Sequence, residues 1–449
     1  MTTAASVIED YKLSHPGSQR LHERAAQFFA ADGATHATRM LDPFRPYITH
    51  AKGSRKWDVD GNEYIDYVMG HGALILGHCH PDIVRAIQEQ AAKGLHYGEN
   101  HELEVEWAAL IKKLMPSVER VEFVACGNEA NALAIRFGRV FTGRKKVLRL
   151  EEHFHGWFDF VAYPGTPGVL PEDNEINSVY IPHDLDLIEK ELAKRQYAVL
   201  LTEGGGAHME GQYPLDRNFV QALPDLTRQH GTVWVIDEVV TGFRYAPGGW
   251  QSVMGVTPDL TTLGKCVGGG LSVGAVVGKA EIMEALSTKT PIQRRIRHTG
   301  TWNANPLVAA AGVAACKLYL TGEPQRKATQ AAAVLRAGLN KALKERGISG
   351  AVYGKTMLHG YLGPREFEPA SDMLPPTRDI KKLCNPAVAP TWARMLLHLL
   401  QHGVANMGGR LYVMSAAHTE EDIDQTIKAF AESLDAMIAE GSLPKSFGK

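Results

Sequence analysis

The sequence predicts an α/β fold with a mostly parallel sheet, because short apolar runs alternate with helical segments between about residues 118 and 330. Six of these runs are strand candidates: VEFVA, KVLRL, AVLLT, TVWVID, LTTLG and GAVVG. They lack the polar alternation of a half-exposed strand, which indicates strands covered by helices on both faces. Segments with helical spacing, such as NEANALAIRFGRVFTG and FVQALPDLTRQHG, lie between them.

The flanking regions differ from this alternating pattern. Residues 1–45 are typical of a polar, helix-rich arm followed by a loop, and KGSRKWDVDGNEYIDYV predicts a hairpin that turns at Asp60-Gly61. The segment HPDIVRAIQEQAAKG has helical spacing and stops at Gly94. Beyond about residue 330, AAAVLRAGLNKALKERG and DIDQTIKAFAESLDAMIAE predict helices of a smaller C-terminal domain.

Composition narrows the class of protein. Of the 449 residues, 44% are apolar and 22% are charged, and the formal net charge is −2, so a nucleic-acid partner is not expected. The sequence has no run of 18 apolar residues and begins without a basic or apolar leader, which predicts a cytoplasmic protein without a membrane span. Five cysteines without a C-x-x-C pair suggest neither disulfides nor a metal site.

Polar and glycine residues follow several predicted strands where each strand ends. Ligands of open α/β sheets bind beyond the carboxyl ends of the strands, so we expect these residues to meet in one crevice. They are Cys126-Gly127-Asn128, the segment from His153 to Gly156, Glu203, Asp237-Glu238 and Gly264-Lys265.

Lys265 and Asp237 are the candidate catalytic residues. Lys265 ends the run LTTLG and precedes a glycine-rich loop, so its amine can reach a bound aldehyde and form an imine. An exposed lysine in a flexible loop is the alternative. Asp237 follows the apolar run TVWVI, and a carboxylate there needs a cationic partner or several donors. A protonated pyridine nitrogen is one such partner, whereas a helix cap or a structural ion pair is the other interpretation.

Weaker signals surround these two residues. The turn ACGNE joins a strand to a helix, whose first N–H groups bind phosphate well, although such turns are also ordinary caps. Phe154 can cover the face of a ring or pack in the core. Arg39 and Arg410 are each suited to clamp a carboxylate, although surface exposure is the commoner fate of an arginine.

Taken together, the chain resembles the class III aminotransferases of pyridoxal-phosphate (PLP) fold type I over nearly its whole length. Within them it is closest to the branch of glutamate-1-semialdehyde aminomutase, β-amino-acid aminotransferases and D-phenylglycine aminotransferase. The spacing of 28 residues from Asp237 to Lys265 is highly specific. The matching stretches are WDVDGNEYIDYVMGHGALILGHCHP, FHGWFDF, VIDEVVTGFR, TPDLTTLGKCVGGGLSVGAVVGK and HTGTWNANP.

This resemblance implies a large PLP-binding domain over 71–330 with a seven-stranded sheet. It also implies a small α+β domain from 1–70 and 331–449. Lys265 is the expected Schiff-base lysine and Asp237 the partner of the pyridine nitrogen. The resemblance also implies a homodimer in which a threonine reaches the neighbouring subunit's phosphate. The cofactor-binding residues that it implies are Cys126, Gly127, Asn128, Phe154, Glu203, Asp237, Val239, Lys265 and Thr301.

Three departures from the family pattern bear on cofactor and substrate. The family's Ser-Gly-Thr-Glu is Cys126-Gly127-Asn128-Glu129 here, and a thiol is a poor phosphate donor. The family's Glu-Pro is Glu203 followed by three glycines, which loosens that loop. The aminomutase branch carries a glutamate near Arg410, and this chain does not.

We therefore expect an aminotransferase whose substrates are held by Arg39 and Arg410. The donor is a D-α-aryl amino acid such as D-phenylglycine, or a β-amino acid, and the acceptor is a keto acid. Trp157, His208 and Trp302 are candidates for an aromatic wall or for core positions. The alternatives are an aminomutase or racemase on the same scaffold and a non-catalytic binding protein. A nicotinamide oxidoreductase is disfavoured because G-x-G-x-x-G does not follow the first strand.

Overall fold

The computed structural model describes residues 6–35, 41–173, 177–207 and 211–443. The chain divides into two compact units. The central unit comprises Gly72–Ile75 and Pro81–Arg326, and the terminal unit comprises Met1–His71, Leu76–His80 and Lys327–Lys449. We propose that these units correspond to the predicted large and small domains.

The strands, numbered along the chain, are β1 (Ile48–Lys52), β2 (Arg55–Asp58), β3 (Glu63–Asp66), β4 (Arg120–Val124), β5 (Lys146–Leu150), β6 (Ser178–Ile181), β7 (Tyr197–Glu203), β8 (Tyr213–Pro214), β9 (Val233–Glu238), β10 (Leu260–Gly264), β11 (Gly274–Gly278), β12 (Gly350–Gly354), β13 (Met357–Leu362), β14 (Val404–Ala405) and β15 (Leu411–Val413).

The α-helices are α1 (Val7–Ser14), α2 (Pro16–Ala25), α3 (Pro81–Ala91), α4 (Glu102–Leu114), α5 (Gly127–Thr142), α6 (Leu185–Leu192), α7 (Arg217–His230), α8 (Gly249–Met254), α9 (Ala280–Met283), α10 (Pro306–Tyr319), α11 (Glu323–Glu345), α12 (Ile380–Leu383), α13 (Ala389–Gln401) and α14 (Glu420–Ala439). A left-handed turn spans Met69–Gly72, and 3₁₀ turns span Lys265–Gly268, Glu284–Leu286, Ile292–Arg294 and Pro386–Val388.

The central unit is built on a seven-stranded sheet in the order β4-β11-β10-β9-β7-β5-β6. Only β11 runs antiparallel to its neighbours, so the predicted mostly parallel sheet is confirmed. Each of the six apolar runs forms a strand of this sheet. The seventh strand, β6, was not identified from the apolar runs, because it has only four residues and includes a serine.

Helices cover both faces of this sheet, as the unbroken apolar strands predicted. On one face, Leu133 and Phe137 of α5 pack in a cluster with Val199 and Val235 of the sheet. On the other face, Leu200 and Trp234 pack with α6 and α7. Each of them is adjacent in its strand to a residue of the first cluster. The alternation follows from the two-residue period of a strand.

The terminal unit contains a four-stranded sheet in the order β1-β2-β3-β14 and a three-stranded sheet in the order β12-β13-β15. Strands β2 and β3 pair antiparallel around the turn at Asp60-Gly61, so the predicted hairpin is confirmed. The two predicted C-terminal helices correspond to α11 and α14, which end two residues and one residue before the predicted segments do. Within the described ranges, no helix combines the length and the apolar character that a membrane span requires.

Candidate functional site

Three neighbouring strands of the central sheet bring polar side chains to one level. Asp237 of β9 lies opposite Glu203 of β7 and opposite Thr262 of β10 in the parallel register. Two residues after Thr262, β10 ends, and Lys265 follows immediately. The carboxyl ends of β7, β9 and β10 therefore hold two predicted acidic residues and the predicted lysine along one edge of the sheet.

The Asp237 carboxylate is buried and receives three hydrogen bonds. Its Oδ2 accepts from Asn131 Nδ2 at 2.7 Å and lies 2.9 Å from His155 Nδ1, and its Oδ1 accepts from the Val239 backbone N–H at 3.0 Å. No lysine or arginine side chain is among these partners. The carboxylate is thus a buried anion that is solvated by dipoles and is ready to pair with a cation.

His155 is fully buried, and its pKa is governed by two opposed effects. Loss of hydration lowers the pKa, whereas the contact with Asp237 raises it, and the net direction is downward. The neutral ring then donates from Nδ1 to the carboxylate, which leaves Nε2 as an acceptor. This Nε2 has no hydrogen-bond partner within the described parts of the chain.

Asn131 was not identified from the sequence, although it connects three parts of the site. Besides its bond to Asp237, its Nδ2 donates to the His155 carbonyl at 2.8 Å, and its Oδ1 accepts from Thr262 Oγ1 at 2.7 Å. A signal was present in the sequence, because Asn131 lies among apolar residues on the buried face of α5. A polar residue on such a face needs hydrogen-bond partners inside the protein.

Glu203 holds the segment that carries Phe154. The Glu203 backbone N–H donates to His153 Nδ1 at 2.8 Å, and Glu203 Oε1 accepts from the Phe154 backbone N–H. Phe154 itself is half exposed, at 50%, so its ring is not part of the core. The two bonds fix the backbone beneath an aromatic ring that remains free to cover a ligand.

The turn that was expected to bind phosphate lies at the start of α5. Cys126 has extended backbone and no side-chain cap bond, so its side chain does not occupy the first N–H groups of the helix. Asn128 Oδ1 accepts from the Trp157 backbone N–H at 3.1 Å. Hence the asparagine that replaces the family's threonine holds the segment after Phe154, while the helix start keeps its capacity to bind an anion.

Lys265 lies at the start of a 3₁₀ turn and is half-buried, with a backbone φ of 48°. This left-handed conformation is uncommon for a residue with a side chain and occurs often at functional sites. Gly72 lies beside the lysine, since a Cβ at that position would be 3.7 Å from Lys265 Cδ and 3.4 Å from Val240 Cγ1. Both distances are those of ordinary van der Waals contact, and the φ of 93° at this position favours glycine.

The arrangement fits the PLP expected from the sequence. PLP carries an anionic phosphate, a ring nitrogen that is cationic when protonated, and an aldehyde. The open helix start, the buried Asp237 carboxylate and the Lys265 amine offer a complementary group for each of these three. Among the described residues, no cluster of three or more histidine, cysteine or acidic side chains is arranged to hold a metal.

Other predicted residues have different surroundings. Val239 packs against the start of α5, because a Cβ at Gly127 would lie 2.7 Å from its methyl carbons. Thr301 is exposed, and its carbonyl contacts His96 Nε2. Arg410 belongs to the terminal unit, where burial lowers the pKa of its guanidinium. Arg39 lies outside the described residues.

Two of the three aromatic candidates are not core residues. Trp157 is 74% exposed and Trp302 is 63% exposed, so the core interpretation is wrong for both. His208 lies outside the described residues.

Comparison with known proteins agrees with this geometry. The family model "Aminotransferase class-III" matches residues 37–434. A glutamate-1-semialdehyde 2,1-aminomutase from Desulforamulus reducens is 34% identical over 440 residues, covering 93% of this chain and 97% of the relative. A β-phenylalanine aminotransferase from Variovorax paradoxus superposes with a TM-score of 0.86 at 27% identity, covering 98% of both chains. A transaminase solved with PLP bound gives a TM-score of 0.83 at 26% identity, covering 95% of this chain and 99% of the other.

Proposed function

Because the chain belongs to the PLP-dependent class III aminotransferases of fold type I, we propose that it transfers an amino group from an amino acid to a keto acid, with Lys265 as its Schiff-base lysine. The family resemblance predicted from VIDEVVTGFR and TTLGK is confirmed. The observation that carries the assignment of residues is the register of β9 and β10. It places a buried, uncompensated carboxylate on the strand beside the one that ends at the lysine.

The side chains around this edge have distinct tasks in the proposal. The start of α5, with Cys126, Gly127 and Asn128, holds the phosphate through backbone N–H groups. The Asp237 carboxylate holds the positive charge of the ring nitrogen, and Phe154 and Val239 cover the two ring faces. Bound PLP supplies an aldehyde that forms carbon–nitrogen double bonds with amines and a ring that withdraws electrons.

The Lys265 amine is the proposed proton carrier. Once a donor amine has replaced it, the free amine takes the proton from the substrate carbon next to nitrogen and returns it at a different carbon. An amine acts as a base through the lone pair of its nitrogen, which the displaced lysine then has available. The same side chain thus anchors the cofactor and moves the proton.

The substrate assignment rests on a solved relative and on aromatic surface near the site. The solved β-phenylalanine aminotransferase matches 98% of this chain, and half-exposed Phe154 and exposed Trp157 offer aromatic surface on the central unit. We propose a β-amino acid or a D-α-aryl amino acid as donor. Arg410, and Arg39 on grounds of sequence alone, are the proposed carboxylate-binding residues for donor and keto acid.

A glutamate-1-semialdehyde aminomutase is the second candidate. It is favoured by the 34% identity to the Desulforamulus reducens enzyme over nearly the whole chain. Against it stands the absence of the glutamate that the aminomutase branch carries near Arg410. An aminomutase returns the nitrogen to the same molecule, so it needs no keto acid.

A homodimer with shared active sites is also proposed. It rests on the match of Thr301 in HTGTW to the family threonine that serves the neighbouring subunit. Thr301 is exposed in the single chain, which leaves it accessible to such a partner.

A substrate screen tests the proposed function. The purified holoenzyme is incubated with each enantiomer of β-phenylalanine and phenylglycine, with 2-oxoglutarate or pyruvate as acceptor, and amino-acid formation is measured. Product that requires the keto acid supports the aminotransferase. Conversion of glutamate-1-semialdehyde without any keto acid, together with no aryl donor activity, would replace it by the aminomutase.

A further inference from the structure

Asn131 occupies a position from which one side chain reaches helix, sheet and loop. It lies in the second turn of α5 and is 2% exposed. Its carboxamide bonds to Asp237 of β9, to Thr262 of β10 and to the carbonyl of His155 in the loop that carries Phe154. The three distances are 2.7, 2.7 and 2.8 Å, so all three are well-formed hydrogen bonds.

The orientation of this carboxamide is fixed by its partners. Thr262 Oγ1 donates to Asn131 Oδ1, and both hydrogens on Nδ2 are used, one by Asp237 and one by the His155 carbonyl. A flipped amide would place its oxygen against the carboxylate, which cannot donate to it. The carboxylate and the His155 carbonyl therefore set the direction of the amide, and the Thr262 hydroxyl holds its oxygen from the opposite side.

The fixed orientation of Asn131 limits the hydrogen bonds that the Asp237 carboxylate can still accept. A carboxylate offers about two acceptor positions on each oxygen. Asn131 and His155 occupy those of Oδ2, and the Val239 N–H occupies one of Oδ1. One position on Oδ1 remains for a ligand, and rotation of the carboxylate would break two buried bonds.

We propose that Asn131 is a positioning residue, which with Thr262 fixes the Asp237 carboxylate so that its one remaining acceptor position faces the cofactor ring nitrogen. The inference rests on the proposed role of Asp237 as partner of that nitrogen. Asn131 is neutral, so it orients the carboxylate without cancelling the charge that the ring nitrogen requires. A lysine or arginine in its place would pair with Asp237 and compete with the cofactor.

Five variants of the full chain test the proposal: Asn131→Ala, Thr262→Val, Thr262→Ser, Asp237→Asn and, as a matched control, Asn340→Ala. Asn340 makes two backbone hydrogen bonds to Val352 in the terminal unit, so its loss removes a structural carboxamide that has no part in the site. PLP affinity is measured by titrating apoenzyme and following visible absorbance. The pH midpoint of the bound-cofactor spectrum and the melting temperature are recorded alongside.

Asn131→Ala should weaken PLP binding about tenfold or more, because it leaves buried groups without partners, and should shift the spectral pH midpoint. Thr262→Val should change PLP affinity and the pH midpoint in the same direction but by less. Thr262→Ser should retain wild-type values, and Asn340→Ala should change only the melting temperature.

The proposal is overturned if Asn131→Ala and Thr262→Val keep PLP affinity within twofold and an unchanged pH midpoint while Asp237→Asn alters both. If Asn131→Ala does not fold, the two Thr262 variants decide in the same way. An unchanged Asp237→Asn would instead reject the proposed role of Asp237.

Discussion

The Nδ1 atom of His155 lies 2.9 Å from Oδ2 of Asp237, and both side chains are shielded from solvent. Burial lowers the pKa of His155 despite the adjacent carboxylate, so the ring is neutral at pH 7. The pair then carries one full negative charge. Had the histidine been protonated, its charge would have cancelled that of Asp237, and the site would hold a cationic ring nitrogen poorly.

Replacing Asp237 by asparagine should remove this charge while keeping the shape of the side chain. We expect kcat to fall about 100-fold or more, because the charge on the ring nitrogen is then no longer stabilised. PLP should remain bound through Lys265 and the helix start. Steady-state kinetics with the best donor from the screen, together with the visible spectrum, measure both quantities.

The matched control for that variant is Asp225→Asn. Asp225 is an exposed residue of α7, and its side chain pairs with the exposed Arg228. This change should leave kcat unaltered. Equal kcat in Asp237→Asn and in the wild type would contradict the role of Asp237.

Lys265→Ala should abolish turnover, since the variant has no amine to anchor the cofactor or to move the proton. The visible absorbance of the lysine-bound cofactor should be lost as well. Sodium borohydride followed by peptide mass spectrometry should find the reduced cofactor on the peptide with Lys265 in the wild type. In Lys279→Ala, which removes a surface ion pair with Asp259, labelling and turnover should persist. Labelling of a different lysine would contradict the assignment.

The convergence of these polar residues could be predicted from the sequence because they stand at strand ends. Strands β5, β10 and β11 have the bounds of the runs KVLRL, LTTLG and GAVVG, since an unbroken apolar run between polar residues marks a strand covered on both faces. Once the strands are located, a parallel sheet places Glu203, Asp237 and Lys265 at one edge without further information.

The supporting residues were harder to predict because their partners are distant in the chain. Asn131 bonds to a strand that lies 106 residues away, and His155 bonds to the same carboxylate from 82 residues away. Neither distance is encoded in a local pattern. Asn131 could have been singled out only by the rule that a buried polar side chain must form hydrogen bonds. That rule does not say which residue is the partner.

Stability should fall as the solution is acidified, and His183 should be one cause. Burial lowers the pKa of His183 to about 4, since its ring packs against Tyr213 and His153. On acidification the unfolded chain therefore binds this proton at about pH 6.5, whereas the folded chain binds it only at about pH 4. The contribution of neutral His183 to the free energy of unfolding is fully present above pH 6.5 and is lost as the pH falls toward 4.

Between pH 7 and pH 4, the free energy of unfolding should fall less in His183→Gln than in the wild type. The difference between the two losses should be about 2–3 kcal/mol at pH 4. Urea unfolding at pH 7, 5.5 and 4.5 measures the difference. His50→Gln is the control, because His50 is an exposed histidine stacked on Trp57. If both variants lose stability in parallel with the wild type, burial of His183 is not a source of acid sensitivity.

Gly156 should be sensitive to replacement for two separable reasons. Its φ of 112° strains any residue with a side chain, and a Cβ there would lie 1.8 Å from Asn128 Oδ1. Gly156→Ala should therefore lower the free energy of unfolding by about 1–3 kcal/mol from backbone strain and further from the clash. It should also weaken PLP binding, because the Asn128 side chain must move and would lose its hydrogen bond to the Trp157 backbone N–H.

Gly165→Ala separates the two contributions. Gly165 has a φ of 77° but no atom within 4 Å of its added Cβ, so that variant has strain without a clash. Adding Asn128→Ala to Gly156→Ala removes the side chain that the new Cβ meets. The double variant should therefore recover the part of the unfolding free energy that the clash removed, and its remaining loss should equal that of Gly165→Ala. Denaturant unfolding of these three variants and the wild type measures these differences. If the second change recovers nothing, the segment from Phe154 to Trp157 and the phosphate turn are not coupled through Asn128.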